Sequence, residues 1–224
     1  MKKKYKVLIT GGSRGIGKSI FNIFNKNDYH VVAPLRNDMD LSSSDSILNF
    51  FSKPANKQFD ILINNAGINI PKKFQKIDLN ILKKTIQTNL EAPYILTQNV
   101  IEHMIKNKWG RIINISSAYS FLSREGRSVY SSTKAGMDAL TRSLAVEFSK
   151  ENILTNSVAP GFVNTELTKQ NNTQAEIKQL CKKIPIKRLA TPNEIAKIVF
   201  FLASKENTYI SGQTIVVDGG FSKV

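Results

Sequence analysis

Cysteine, histidine and tryptophan are scarce in this sequence of 224 residues, which contains one cysteine, two histidines and one tryptophan. The lone cysteine, Cys181, excludes an internal disulfide. The two histidines, His30 and His103, form no cluster with the spacing of metal ligands. We therefore expect no metal site, and we interpret all three residues as structural or exposed.

Long apolar runs are also missing. No run approaches the ~18 apolar residues of a membrane-spanning helix. The basic start Met1-Lys2-Lys3-Lys4 leads directly into a strand pattern, without the apolar region and cleavage site of a signal peptide. These absences favour a cytoplasmic protein with no membrane partner.

Acidic residues are few relative to basic ones, and the formal net charge is +15. Lysines outnumber arginines 25 to 7, asparagine occurs 21 times, and the lysines are scattered along the chain. This pattern favours a compositional origin of the charge, although an acidic protein partner remains an alternative. The sequence has no RNA-binding motif and no obvious DNA-recognition helix, so we expect no specific nucleic-acid partner.

No linker or change of composition divides the chain, and 224 residues suffice for one sizeable core. We interpret residues 1–224 as a single domain, which must therefore contain whatever binding and catalytic sites the protein has. Apolar strand patterns alternate with helical patterns along the whole sequence. This alternation predicts a doubly wound α/β fold of the Rossmann type, a three-layer sandwich around a mainly parallel sheet of about seven strands.

The first apolar run, Val7-Leu8-Ile9-Thr10, is followed by the glycine motif Gly11-Gly12-Ser13-Arg14-Gly15-Ile16-Gly17 and then by a helical pattern. A glycine motif between a strand and a helix is typical of dinucleotide binding. The glycines permit a tight turn and let backbone N–H groups approach a pyrophosphate at the positive end of the helix. The alternative is a glycine-rich turn without a ligand.

The end of the second strand pattern, residues 30–35, indicates the choice of cofactor. Folds that prefer NAD place an acid near this point, whereas a basic group accommodates the 2′-phosphate of NADP. This chain has Leu35-Arg36, with Arg14 in the glycine motif. Both arginines can pair with a phosphate through two hydrogen bonds, so the sequence predicts NADP(H).

The segment Asp38-Met39-Asp40-Leu41 follows the second strand pattern too closely for a full crossover helix. We therefore expect an abbreviated sheet edge here. Counted with this edge, residues 59–63 are the fourth strand. They end at Asn64-Asn65-Ala66-Gly67, where the amides can bond backbone and ligand and Gly67 permits close approach.

Several later elements are also predicted. A helix over about Asn80 to Lys106 contains Asn89 and Pro93 at its middle, and the proline predicts a kink. The polar residues 162–185 suggest a mobile loop with one helix that covers a site. Residues 191–194 form a helix start with a capping box.

One pair of residues and one hydroxyl indicate proton transfer. Tyr130 and Lys134 are four residues apart on a predicted helix and project from the same face. The Lys134 ammonium should lower the pKa of the Tyr130 phenol. Ser117 ends a buried strand pattern, at a sheet edge where α/β folds bind ligands. The alternative is an ordinary helix pair with a packed tyrosine and a solvated lysine.

Together these motifs resemble the short-chain dehydrogenase/reductase family over nearly the whole chain. Within that family the sequence is most similar to the 3-oxoacyl-[acyl-carrier-protein] reductases and their sugar- or alcohol-reducing relatives. The matching residues are Thr10-Gly11-x-x-x-Gly15-x-Gly17, Asn64-Asn65-Ala66-Gly67, Asn89, Ser117, Tyr130-x-x-x-Lys134, Pro160-Gly161 leading to Thr165, Ser211-Gly212 and Asp218-Gly219-Gly220.

The resemblance implies roles for these positions. Tyr130 would be the catalytic acid/base, Lys134 would lower its pKa and bond the nicotinamide ribose, Ser117 would orient the carbonyl, and Asn89 would hold a water in a proton relay. Asp40 and Leu41 would border the adenine, Asn65 would contact the adenosine side, and Val163 and Thr165 would contact the nicotinamide end. The complete predicted NADP(H) site comprises Gly11, Ser13, Arg14, Gly15, Ile16, Gly17, Arg36, Asp40, Leu41, Asn65, Ala66, Gly67, Tyr130, Lys134, Pro160, Gly161, Val163 and Thr165.

The substrate is less determined by the sequence. Basic residues on the rim of the acyl-carrier reductases engage the acidic carrier; Lys108 fits one such place, but Glu151 stands at the other. The alternatives to a 3-oxoacyl thioester are therefore a sugar nucleotide or another small keto compound, or a nucleotide-binding protein without catalysis. The resemblance also implies a homo-oligomer, a dimer or tetramer built on the long helices.

Overall fold

The computed structural model of the protein describes residues 4–223. Most of the basic start of the sequence, residues 1–3, lies outside this range. Within it, one sheet contains six parallel strands in the spatial order β2-β1-β3-β4-β5-β6. The strands are β1 (Lys6–Ile9), β2 (His30–Val32), β3 (Ile61–Asn64), β4 (Gly110–Ile115), β5 (Ile153–Pro160) and β6 (Thr214–Val217).

Helices connect the strands and cover both faces of the sheet, which confirms the predicted doubly wound α/β fold. They are α1 (Gly15–Lys26), α2 (Ser44–Phe51), α3 (Leu79–Ile86), α4 (Ala92–Asn107), α5 (Ser128–Phe148), α6 (Glu166–Gln170), α7 (Gln174–Lys183) and α8 (Pro192–Ala203). Among the described residues, no helix is both long and apolar enough to cross a membrane.

The central strands are buried on both faces, so their side chains divide between two apolar cores. In β1, Val7 and Ile9 pack in the core beneath α1 and α8, whereas Leu8 packs in the core beneath α2, α4 and α5. This alternation follows from the two-residue period of a strand. A sheet covered on both faces can present a ligand site only at its edges or at its strand ends.

The abbreviated sheet edge expected at residues 38–41 contributes no strand, so the described sheet has six strands rather than about seven. Those residues adopt turns and irregular backbone after β2, and β2 is itself the edge strand. A parallel neighbour needs a crossover of about a dozen residues, which the short stretch between Val32 and Asp38 cannot supply. Residues 61–64 are consequently the third strand of the chain and not the fourth.

The long helix predicted over residues 80–106 is divided by a π-helical turn, Gln87–Glu91. Pro93 has no N–H with which to bond the carbonyl four residues earlier, that of Asn89. The Ala92 N–H instead bonds the Gln87 carbonyl, five residues back. The predicted kink is therefore a widened turn, and Asn89 lies within it.

The polar stretch 162–185 contains two helices, α6 and α7, and not one. A threonine caps the start of each helix. The Thr165 side chain accepts a hydrogen bond from Thr168 N at the start of α6, and Thr173 forms a capping box with Glu176 at the start of α7. The capping box predicted at Thr191 and Glu194 is confirmed at the start of α8.

Candidate active site

A cleft of about 450 Å³ opens at the carboxyl end of the sheet. Its walls are the loops that follow β1, β2, β3, β4 and β5, together with the start of α5 and with α6. This volume is within the range of small-molecule and cofactor sites. Every residue in the predicted catalytic and cofactor sets lines this cleft except Asn89.

The glycine motif forms one end of the cleft. Gly11 and Gly15 have φ angles of +66° and +53°, which only glycine adopts without strain. A Cβ on Gly17 would lie 2.0 Å from the Gly11 carbonyl oxygen, so the start of α1 touches the loop directly. No acidic residue occupies the first turn of α1. The arrangement leaves the positive end of that helix suited to an anion.

Asn65 supports this loop from below. Its amide Nδ2 donates to the carbonyls of Thr10 and Gly11, at 2.9 and 3.2 Å. The Thr10 hydroxyl in turn accepts from the backbone N–H groups of Asn65 and Ala66, both at 3.0 Å. The Asn65 side chain thus fixes the shape of the glycine loop, in addition to lining the cleft.

Arg36 and Asp40 lie at the same end and pair with each other. Both Nε and Nη2 of Arg36 donate to the Asp40 carboxylate, at 3.1 and 3.0 Å. Hydrogen bonds from Ser42 and the Arg36 charge hold the pKa of Asp40 below its usual value, although its partial burial acts in the opposite direction. Arg14 is exposed at the rim, and the structure records no acidic partner for it among residues 4–223.

Ser117, Tyr130 and Lys134 meet at the opposite end of the cleft. Ser117 follows β4 and its hydroxyl accepts from Tyr119 N at 3.2 Å. The Lys134 ammonium is buried, donates to the Ile115 carbonyl at 2.6 Å and lies 5.7 Å from the centre of the Tyr130 ring. A Cβ on Gly67 would lie 3.5 Å from the Lys134 Nζ, which explains a small residue there.

The pKa of Tyr130 differs from the expectation. Burial raises it above its usual value, while the Ser117 hydroxyl and the Arg127 charge act in the opposite direction. The desolvation of the phenolate outweighs its favourable contacts, so the shift of the Tyr130 pKa is opposite in direction to the lowering expected from Lys134. The phenol is therefore protonated at neutral pH.

Burial also lowers the pKa of Lys134, to about 8, against the opposing charge of Asp138 one helical turn further on. Desolvation disfavours the ammonium in the same way that it disfavours the phenolate. The lysine is consequently a group that can gain or lose a proton near neutral pH.

Asn89 lies behind the cleft, and its side chain is fully buried. Its Oδ1 accepts from Ile68 N at 2.8 Å, and its Nδ2 donates to the Ile68 carbonyl and to the Thr133 hydroxyl, at 2.9 and 3.2 Å. The side chain therefore connects the loop after β3 to α5, one residue before Lys134. This geometry assigns it to the support of the site.

The far wall of the cleft comes from β5 and the residues after it. A Cβ on Gly161 would meet the Asp218 Cβ at 2.7 Å, so Gly161 permits close packing against the terminal turn. Val163 is buried and pairs with Ala190 in an isolated parallel bridge. Thr165 caps α6, which closes over the glycine loop.

Sequence reasoning missed several residues of the cleft. Arg127, Asn69, Tyr119 and Phe162 all line it. A signal for Arg127 was present, because it precedes Tyr130 by three residues and so shares its helix face. Asn69 and Phe162 lie in irregular loops and Tyr119 lies in a three-residue 3-10 helix, Ala118–Ser120, so these three residues carried no pattern of their own.

Lys108 and Glu151 are not on the rim of this chain's own cleft. They immediately precede β4 and β5, at the amino edge of the sheet, whereas the cleft lies at the carboxyl edge. The two side chains form an ion pair with each other.

Among residues 4–223, no group of three or more His, Cys, Asp or Glu side chains could hold a metal ion.

The doubly wound sheet, the glycine loop at a helix start and the polar cleft at the carboxyl edge define a dinucleotide-binding oxidoreductase. A family model described as enoyl-(acyl carrier protein) reductase matches residues 26–222. The chain belongs to the short-chain dehydrogenase/reductase family.

Known proteins similar to this chain span almost its whole length. The 3-oxoacyl-[acyl-carrier-protein] reductase FabG of Aquifex aeolicus (strain VF5) is 39% identical in an alignment that covers 96% of this chain and 86% of the relative. The solved structure of ElxO with NADP bound has a TM-score of 0.90 at 31% identity and covers 99% of this chain and 100% of its own. That of 4-hydroxyisoleucine dehydrogenase complexed with NADH has a TM-score of 0.93 at 29% identity, with the same coverage.

Proposed function

We propose that the protein is a cytoplasmic NADPH-dependent reductase that converts the keto group of a 3-oxoacyl thioester to a secondary alcohol. One observation carries this proposal: Ser117, Tyr130 and Lys134 line one end of a cleft whose other end is a glycine loop at a helix start. The similarity to 3-oxoacyl-[acyl-carrier-protein] reductases supports the choice of substrate.

The residues present fit NADPH. The backbone of Gly11 to Gly17 and the start of α1 would hold the pyrophosphate. Arg14 and Arg36 would bind the 2′-phosphate, and Arg36 would then exchange Asp40 for a phosphate partner. When bound, NADPH supplies the hydride that the carbonyl carbon receives. NADP is also present in the ElxO structure.

The side chains at the other end of the cleft would handle the proton. Ser117 would hold the substrate carbonyl oxygen, and Tyr130 would donate its phenolic proton to that oxygen as the hydride reaches the carbon. A phenol that burial keeps protonated suits an acid in the reduction direction. The phenolate that results would be stabilised by Ser117, by Arg127 and by a protonated Lys134, and Lys134 would return the proton. Through its hydrogen bonds to Ile68 and Thr133, Asn89 would hold the loop after β3 and the helix around Lys134 in fixed positions.

Replacement of the catalytic phenol tests this mechanism. We expect Tyr130→Phe to lower the turnover number for acetoacetyl thioester reduction by at least 100-fold, since general acid catalysis contributes about 10²–10⁴. NADPH binding, followed by fluorescence titration, should persist. Tyr209→Phe, at an exposed tyrosine outside the cleft, is the matched control. Near-normal turnover by Tyr130→Phe would contradict the mechanism.

A reductase of a sugar nucleotide or other small keto compound is the second candidate. The ion pair of Lys108 with Glu151 favours it, because these residues do not present two free cations to an acidic carrier. NADPH consumption with acetoacetyl thioesters, keto-sugars and quinones separates the candidates. We expect the highest kcat/KM with the thioester, and a much higher value with a keto-sugar would replace the first candidate by the second.

A further inference from the structure

Arg127 is a buried arginine at the catalytic end of the cleft. It is 4% exposed, lines the cleft and immediately precedes α5, the helix that carries Tyr130. Tyr130 is three positions after Arg127, about one helical turn, and the Arg127 charge acts on the Tyr130 phenol. The guanidinium is therefore close to the position where the substrate carbonyl would be held.

The guanidinium lacks an anionic partner. Its Nη1 donates to Asn69 Oδ1 at 2.7 Å, and its Nε is buried with no hydrogen-bond acceptor in the described part of the chain. The structure records no carboxylate within 4.0 Å of it among residues 4–223. The adjacent acid, Glu125, pairs instead with Lys73 at 3.1 Å.

The burial of the Arg127 guanidinium requires an explanation. An arginine stays protonated in proteins, and a buried charge is costly unless it is paired and hydrogen-bonded. Asn69 satisfies one of the five N–H donors of the guanidinium. The Nε donor has no acceptor among the described residues, and an anion in the cleft would compensate the charge better than a neutral group would.

We propose that Arg127 binds the C1 carboxyl-level group of the substrate and that the enzyme therefore also reduces free 3-oxo acids, whose C1 is a carboxylate. In a 3-oxo substrate, C1 and the keto carbon C3 are joined through the single carbon C2. Two side chains that are neighbours on one helix turn can therefore reach the C1 oxygen and the keto oxygen at the same time. A thioester carbonyl at C1 accepts a hydrogen bond from Arg127. A carboxylate accepts two and neutralises the charge.

The additional reaction has the same balance as the proposed function, on which this inference rests. The keto carbon of the 3-oxo acid gains the hydride, its oxygen gains the proton from Tyr130, and NADPH is oxidised to NADP⁺. The C1 carboxylate is unchanged and serves only for binding. No other reactant is required.

A competing explanation is that Arg127 only braces the loop that contains Asn69. A brace would affect every substrate equally, whereas a carboxylate-binding group would affect the acid far more than the thioester. The distinction is measurable with acetoacetate and with the N-acetylcysteamine thioester of acetoacetate, which share a keto group and differ at C1.

The test compares wild type with Arg127→Gln and Arg127→Lys for both substrates. We expect Arg127→Gln to lower kcat/KM for acetoacetate at least 30-fold more than for the thioester, mainly through KM. Arg127→Lys should recover part of that selectivity, because it restores the charge without the planar fork. The control is Arg142→Gln, an exposed arginine on α5 outside the cleft, which should leave the ratio of the two kcat/KM values unaltered.

Equal losses for the two substrates in Arg127→Gln would overturn the inference in favour of a structural brace. Calorimetric titration of acetoacetate into NADP⁺-saturated protein separates this inference from the proposed function. If the thioester is reduced but acetoacetate does not bind, the inference fails and the proposed function stands. If neither substrate is reduced but acetoacetate binds and Arg127→Gln abolishes that binding, Arg127 is a carboxylate-binding residue, whereas the proposed function and the reduction of 3-oxo acids both fail.

Discussion

Lys134 makes the site pH-sensitive at the level of a single residue. Its folded-state pKa is about 8, below its ordinary value of 10.5, because burial disfavours the charged form. Folding with a charged Lys134 is therefore penalised below pH 8, by about 3 kcal/mol when about 2.5 pH units are converted at 1.36 kcal/mol each. The penalty disappears as the pH rises from 8 to 10.5, because the unfolded chain then binds the extra proton.

This sign gives a prediction for Lys134→Met, which retains an unbranched side chain without the charge. Relative to wild type, the variant should gain stability at pH 7 and lose most of that gain at pH 9.5. Urea unfolding of both proteins at the two pH values measures the difference directly. Lys18→Met, an exposed site on α1, is the control. A difference between wild type and Lys134→Met that does not vary with pH would show that Lys134 is charged throughout.

At the scale of the element, the contact between α1 and the glycine loop determines the cofactor end. A methyl group on Gly17 would lie 2.0 Å from the Gly11 carbonyl oxygen and 2.5 Å from the Asn65 amide nitrogen. The loop or the helix must move to accommodate it, and both hold the proposed pyrophosphate site.

We therefore expect Gly17→Ala to weaken NADPH binding by at least 10-fold and to lower the midpoint of thermal unfolding. Fluorescence titration and thermal melts measure the two effects. Ser19→Ala, two positions further along the same helix and absent from the cleft, is the control. Unchanged NADPH affinity in a folded Gly17→Ala protein would place the pyrophosphate elsewhere.

Elements whose signals are local were predictable from the sequence. The first strand and glycine loop, the capping box at Thr191 and the helix that carries Tyr130 each follow from periodicity or from a cap. The elements that were predicted incorrectly depend on contacts between residues distant in the sequence or on the choice among several backbone conformations. The abbreviated edge expected at residues 38–41 contributes no strand, because no crossover places it beside β2. The π-helical turn before Pro93 is one of several ways to accommodate a proline.

The candidate site shows the same division. The position of Tyr130 and Lys134 on one helix face followed from their spacing, but the direction of the Tyr130 pKa shift depends on how much water the folded chain removes. The pairing of Arg36 with Asp40 also required the fold of the loop, although their four-residue spacing was visible. The role proposed for Arg127 depends on its burial in the cleft, which cannot be predicted from the sequence for a charged residue.

At the scale of the whole molecule, two large apolar side chains remain exposed on the long helices α4 and α5. Val146 on α5 is 86% exposed, and Tyr94 on α4 is 47% exposed. We propose that these helices form an interface between copies, as the sequence resemblance implied. Val146→Glu should then shift the protein to a smaller species in light scattering at micromolar concentration. Glu147→Gln, its exposed neighbour, is the control, and a monomeric wild type would contradict the proposal.

The net charge of +15 gives the remaining prediction, because an acyl carrier is an acidic partner and a small thioester is not. Electrostatic attraction between the two proteins should raise the rate of encounter at low salt and weaken as the Debye length falls from about 10 Å at 0.1 M salt toward 3 Å at 1 M. At saturating NADPH, kcat/KM for acetoacetyl carrier protein should fall several-fold between 50 and 500 mM salt. The value for the N-acetylcysteamine thioester should change little over the same range. If kcat/KM falls equally with salt for both substrates, the surface charge plays no part in binding the carrier. The Lys108–Glu151 ion pair at the opposite edge of the sheet would then be consistent with a small free substrate.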